Sequence, residues 1–136
     1  MSDAREQMRQ SERCLRSSRV LLNEDDPNGA VNRLYYALYH AARALLMHRD
    51  LPVPKTHSGL IGAFGNEFVK SGELPVEYGR LLKVVEQQRL AADYADDAVD
   101  ASLLPALYKR ADAFLLDVQK AIEQGPSPGT QPARRP

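Results

Sequence analysis

The chain has 136 residues, 43% apolar and 26% charged, and its eighteen basic and eighteen acidic side chains cancel. That size suits one ordinary domain able to bury roughly two-thirds of its unfolded surface, so a core needs neither disulfides nor metal. The charge balance speaks against a basic nucleic-acid coat, the lone Cys14 against a disulfide or thiolate zinc site, and the absence of a ~20-residue apolar run against a membrane helix.

The opening residues Ser2-Asp3-Ala4-Arg5-Glu6 are polar, unlike a secretory leader, and point to a cytoplasmic protein. Over residues 4–22, Met8, Leu15 and Leu22 form a narrow seven-residue stripe, with Cys14 and Leu21 beside it, as in a surface helix laid on a core. Five arginines against three acids give this segment a net +2, and Arg9, Arg13 and Arg16 share one face. That face is either plainly solvated or a surface that tracks phosphates.

The run Asn23-Glu24-Asp25-Asp26-Pro27 ends the first helix, and Pro27 can start the next. From there to about Arg49, apolar residues point in almost every direction: Val31, Leu34, Tyr35, Leu38, Ala41, Ala42, Leu45 and Leu46. A helix apolar nearly all round is the central element of its domain.

Pro52 and Pro54 forbid helix, and Thr56 can cap a third one carrying Leu60, Ile61, Phe64, Phe68 and Val69. Gly59, Gly62 and Gly65 within it predict either close helix–helix approach or fraying. Pro75 can open a fourth helix that buries Leu81, Leu82, Val85 and Ala92. A fifth starts near Ser102, tolerates Pro105 in its first turn, and buries Leu107, Ala111, Phe114, Leu115, Val118 and Ile122. Residues 86–100 carry five acids against Arg89 alone, a net −4 that would repel RNA near 95–101 or dock a basic partner. No strand alternation occurs. The fold class is all-α, an up-and-down bundle of four to five helices over residues 1–124, followed by a Pro/Gly-rich tail at 125–136 that should be disordered.

Several chemistries lack their motifs. The glycines of 59–65 lack the Lys-Ser/Thr ending of a phosphate loop, no pair of Glu-x-x-His motifs exists, and no Gly-x-Ser-x-Gly elbow appears. His40, His48 and His57 are too dispersed for a zinc site, and His48 reads as plain surface. No metal or cofactor is expected.

One constellation remains, in Asn32-Arg33-Leu34-Tyr35-Tyr36-Ala37-Leu38-Tyr39-His40. Arg33 and His40 lie two turns apart, within about 20° of the same azimuth, with Tyr36 between them. An arginine beside a histidine is the minimum set for phosphodiester chemistry: a fixed cation and a group titrating near neutrality. The bland reading is a surface ion pair at Arg33 and a polar gap filled by His40. Tyr36 and Tyr39 could stack bases or simply pack in the core, Asn32 could orient Arg33, and His57 could join the site or merely start its helix.

Residues 32–46, NRLYYALYHAARALL, resemble the second helix of small stand-alone prokaryotic HEPN proteins. Thr56-His57-Ser58-Gly59-Leu60-Ile61 with Phe64 and Phe68 is similar to the third helix of that branch, and Arg89-Leu90-Ala91-Ala92-Asp93-Tyr94 to its closing motif. The likeness spans roughly residues 5–122. It implies a helical bundle, often a dimeric metal-independent endoribonuclease acting through an arginine and a histidine, here Arg33 and His40. It implies RNA as substrate; the candidate substrate-binding residues, read from their place beside the pair, are Asn32, Tyr36, Tyr39 and His57. It also implies a toxin paired with a minimal nucleotidyltransferase, or alternatively a non-catalytic module that binds a nucleotide or that partner. The His-x-Tyr of toxins inactivated by tyrosine modification is absent, since Ala41-Ala42 follow His40. For Arg89 and Asp93 the resemblance favours packing against the central helix over a mere surface pair.

Overall fold

A computed structural model describes residues 2–94 and 99–124 and shows five α-helices: α1 (Ser2–Asn23), α2 (Pro27–His48), α3 (His57–Phe64), α4 (Val76–Tyr94) and α5 (Leu104–Gln124). No strand occurs among the described residues, and none of the helices is long and apolar enough to cross a membrane. The expected tail at 125–136 and residues 95–98 of the acidic stretch lie outside the described residues.

The helix boundaries follow local chemistry. The Asp26 carboxylate accepts from the Gly29 N–H at 2.9 Å, and Pro27 takes the first position of α2. Thr56 caps α3 by accepting from the Gly59 N–H at 3.0 Å. Asp25 and Asp50 end α1 and α2 in the left-handed region, at φ 65° and 56°. The Asp26 and Leu51 N–H groups then reach back to the Leu21 and Leu46 carbonyls, closing both helix ends.

α2 is the hub. Eleven of its residues are buried, from Ala30 to Leu46, and α1, α3, α4 and α5 all pack on it. Of Gly59, Gly62 and Gly65 the one in close contact is Gly59, where a Cβ would lie 2.9 Å from Pro54 of the preceding loop and not against another helix. Nothing lies within 4 Å of where a Cβ would sit on Gly62 or Gly65, and Gly65–Val69 instead widens into a π-helical turn. That turn places Phe68 beside Phe64, which stacks on Phe114 of α5 at 5.3 Å between centroids. At the far end of α2, Arg49 pairs with the buried Glu73 and donates to the Ala121 carbonyl, tying the loop before α4 to α5.

Ser11 and Ser18 in α1 are fully buried, although polar serines would ordinarily mark a solvated face. Their hydroxyls donate to the Ala37 and Ala30 carbonyls of α2, both at 2.6 Å, and Ser18 also meets the Tyr108 hydroxyl of α5 at 2.7 Å. With Ala4 they form a seven-residue series of small side chains that runs antiparallel to Ala30, Ala37 and Ala44. Such a seam lets two helix backbones come close. Replacing Ser11 by Ala should therefore cost about 1 kcal/mol, and Ser11→Val about 2 kcal/mol or more, because the branched side chain must force the helices apart. Denaturant midpoints of the two variants check the order; equal losses would show that the seam tolerates bulk.

Candidate active site on the central helix

The half-buried face of α2 that carries Asn32, Arg33, Tyr36, Tyr39 and His40 lies between α1 on one side and the start of α3 and the end of α4 on the other. Arg33 is held by its neighbour: the Asn32 side-chain oxygen accepts from Nε at 3.1 Å and from Nη2 at 2.9 Å. The guanidinium lies 5.1 Å over the Tyr36 ring, and its Nη1 is 3.8 Å from the Cys14 sulfur of α1. Asn32 is thus an orienting group. Burial pushes the Cys14 thiol up, so it stays protonated beneath this cation.

His40 sits two turns on. Its Nδ1 lies 2.8 Å from the side-chain oxygen of Gln7 in α1, and the same oxygen accepts from Arg43 Nε at 3.2 Å. Burial first, then the positive charges of Arg43 and Arg33, hold the imidazole below the ordinary histidine pKa. The ring is therefore neutral around physiological pH and able to take a proton.

Tyr36, Tyr39 and His40 form a continuous aromatic wall, and His57, the first residue of α3, adds a fourth ring 5.7 Å from Tyr36 and 5.3 Å from Tyr39. The structure thus brings His57 to the same face as Tyr36 and Tyr39, which sequence spacing alone does not do. Beneath them, fully buried Tyr35 carries the Arg89 guanidinium 5.2 Å over its ring. Arg89 is only 8% exposed and binds Glu86 at 2.8 Å, Asp93 at 2.8 Å and His57 Nδ1 at 3.3 Å. This is a packing role against the central helix. The Tyr35 hydroxyl is buried with no hydrogen-bond partner among the described residues, and burial together with the Glu86 carboxylate pushes its pKa well up, keeping it protonated.

The arginines divide sharply by partner. Arg9, Arg19, Arg49 and Arg89 meet carboxylates from Glu6, Asp112, Glu73 and Glu86. Arg33 and Arg43 meet only uncharged acceptors among the described residues: Asn32, the Cys14 thiol and Gln7. Arg9, Arg13 and Arg16 do not make one uniform patch, because Glu6 holds Arg9 while Arg16 lines a surface groove against Leu115 and Leu116 of α5. His48 is exposed, beside a shallow groove between α1 and α5, and away from the aromatic wall. Among the described residues, no three His, Cys, Asp or Glu side chains cluster as a metal site would need.

The HEPN domain family model matches residues 4–123 of the chain. The chain belongs to the HEPN domain family. It is 34% identical over 116 residues to a protein named "UPF0332 protein" from Thermotoga maritima, covering 85% of this chain and 87% of that one. It is 32% identical over 114 residues to "Putative toxin MJ0605" from Methanocaldococcus jannaschii, covering 84% of each. The HEPN match takes in α1 to α5 nearly whole, so the Arg33–His40 face lies inside it.

Spacing on α2 picks out Arg33, Tyr36 and His40, but sequence reasoning passes over Gln7 and assigns no role to Arg43. Gln7 and Cys14 sit seven residues apart on α1, as Arg33 and His40 do on α2, and that matched spacing was the available signal.

The depressed titration of His40 has a measurable consequence. Between its folded midpoint and about 6.5, the unfolded chain binds more protons than the folded one. This residue's contribution to stability is therefore complete above pH 6.5 and shrinks as pH falls toward the folded midpoint. In an NMR titration His40 should have a midpoint below 6.5 that rises in Arg43→Gln; a midpoint at or above 6.5 in the wild type would overturn the electrostatic reading.

Proposed function

We propose that this HEPN chain is a metal-independent endoribonuclease, the toxin half of a toxin–antitoxin pair, and that it cleaves RNA by attack of a 2′-hydroxyl on the adjacent phosphorus. The observation that carries the proposal is the pairing, on one half-exposed helix face, of the neutral imidazole of His40 with Arg33, a guanidinium that no carboxylate neutralises among the described residues. The toxin name of the Methanocaldococcus relative supports the biological role.

In this reaction His40 takes the 2′-hydroxyl proton as the 2′-oxygen bonds to phosphorus. The bond from phosphorus to the 5′-oxygen breaks, a general acid protonates that oxygen, and the products are a cyclic phosphate and a 5′-hydroxyl. Arg33, aimed by Asn32, holds the phosphate and stabilises the charge that builds on its equatorial oxygens. Tyr36, Tyr39 and His57 offer ring faces on which an unpaired base can stack. DNA lacks the attacking hydroxyl and is not a substrate.

One copy supplies one base and no separate acid. Seven residues of helix also set the Arg33 and His40 backbones about 10.5 Å apart. A two-fold homodimer with residues 33–40 of both chains along one groove would provide the second histidine and second arginine. The inhibitory partner in this reading is a minimal nucleotidyltransferase encoded alongside.

Arg33→Ala and His40→Ala should each lower cleavage in chelator by on the order of 100-fold or more, with circular dichroism and melting nearly unchanged. Activity lost only together with the fold would return both residues to a structural role. Mixing the two inactive variants should restore part of the activity through heterodimers. A monomer by light scattering at tens of micromolar, about the concentration an assay needs, would sink the shared groove.

A further inference from the structure

The hydrogen-bond chain Arg43–Gln7–His40 fixes which nitrogen of His40 carries a proton. A guanidinium has five N–H donors and no acceptor. The Gln7 atom that faces Arg43 Nε at 3.2 Å must therefore be the amide oxygen, because the flipped amide would set two donors against each other. That same oxygen lies 2.8 Å from His40 Nδ1. An amide oxygen only accepts, so Nδ1 must bear hydrogen whether the ring is neutral or charged.

Among the described residues, Gln7 is the hydrogen-bond partner that Nδ1 has. The flanking Tyr36 and Tyr39 present rings at 6.4 and 5.3 Å between centroids. The charged groups that act on the ring are Arg33 and Arg43, both from α2, and α1 contributes the uncharged Gln7. Arg43 is itself braced 5.7 Å over the Tyr39 ring, so the donor that orients the amide has a fixed seat.

We infer that Gln7 is a positioning residue: held by Arg43, its side-chain oxygen locks His40 as the Nδ1–H tautomer and leaves Nε2 as the nitrogen that exchanges a proton with the substrate. The use of Nε2 rests on the ribonuclease reading; the tautomer does not. α1 thereby contributes to the site without touching substrate, as an orienting group does for a catalytic imidazole.

The test uses the full-length protein labelled with nitrogen-15, and reads the His40 ring by long-range proton–nitrogen correlation above its titration midpoint. The wild type should show a protonated Nδ1 and an unprotonated Nε2. Gln7→Leu removes the acceptor and should shift His40 toward the Nε2–H form that an unconstrained imidazole prefers, whereas Gln7→Glu keeps an acceptor and should keep the Nδ1–H form. In cleavage assays Gln7→Leu should lower kcat on the order of tenfold with KM little changed. An Nε2–H ring in the wild type, or an unchanged ring in Gln7→Leu, overturns the inference. Should Gln7→Leu fail to fold, the wild-type and Gln7→Glu spectra still decide it. A wild type with the expected tautomer that cuts no RNA overturns the ribonuclease reading and leaves the positioning role standing. A wild type that cuts RNA with an Nε2–H ring overturns the positioning role alone.

Discussion

The close contact of α1 with α2 through small side chains sets the geometry of everything on the central helix. Ser11 and Ser18 put hydroxyls, rather than methyl groups, against α2, and each finds a backbone carbonyl at 2.6 Å. The polar side chains are thereby satisfied at almost no cost in volume, which is how a serine belongs in a buried seam. The seam also fixes register. Ser18 meets Ala30 and Ser11 meets Ala37, so the neighbouring stripe of α1 must bring Cys14 to Arg33 and Gln7 to His40. A wider crossing would leave both of those contacts out of reach.

The opposite flank of the same face is held by charge. Arg89 is nearly buried, and an unpaired guanidinium there would cost several kcal/mol. Glu86 and Asp93 on its own helix and His57 from α3 supply partners, and the Tyr35 ring supplies a face. The arrangement joins the end of α4 and the start of α3 to one tyrosine of α2. It also neutralises Arg89 locally, which leaves its charge unavailable to an anion. Two different devices, a neutral seam and a compensated ion cluster, therefore clamp one aromatic face from its two sides.

Most of the fold was legible in the sequence because the chain punctuates itself. Pro27, Thr56, Pro75 and Pro105 sit within a residue or two of helix starts, and the all-round apolarity of residues 31–46 marks the hub. What escaped was whatever depends on a second element. Ser11 and Ser18 look like solvent-facing residues until α2 is laid against them. Gly62 and Gly65 look like contact points, yet they face open space while the helix widens at Gly65. The site divides the same way. Arg33, Tyr36 and His40 share a face by spacing along one helix, whereas Gln7, His57 and Arg89 reach it only through packing. A resemblance of motif could name His57 and Arg89, and favour packing of Arg89 against the central helix, without saying which side chains they meet there. Gln7 falls in no motif, and only the antiparallel register reveals it.

The division of the arginines links this architecture to chemistry. Any phosphate approaching the face meets Arg89 already compensated by Glu86 and Asp93, and Arg33 and Arg43 compensated by no carboxylate among the described residues. Coulomb attraction in a half-buried setting is only weakly screened, so these two cations add to the positive potential at the face. They flank His40 along α2, and their positive charge adds to the larger effect of burial in lowering the proton affinity of the imidazole. The charge that would attract an anion therefore also contributes to keeping the ring unprotonated. Putting a carboxylate beside either arginine would weaken both together, raising the affinity of His40 for its proton while lowering the pull on the anion.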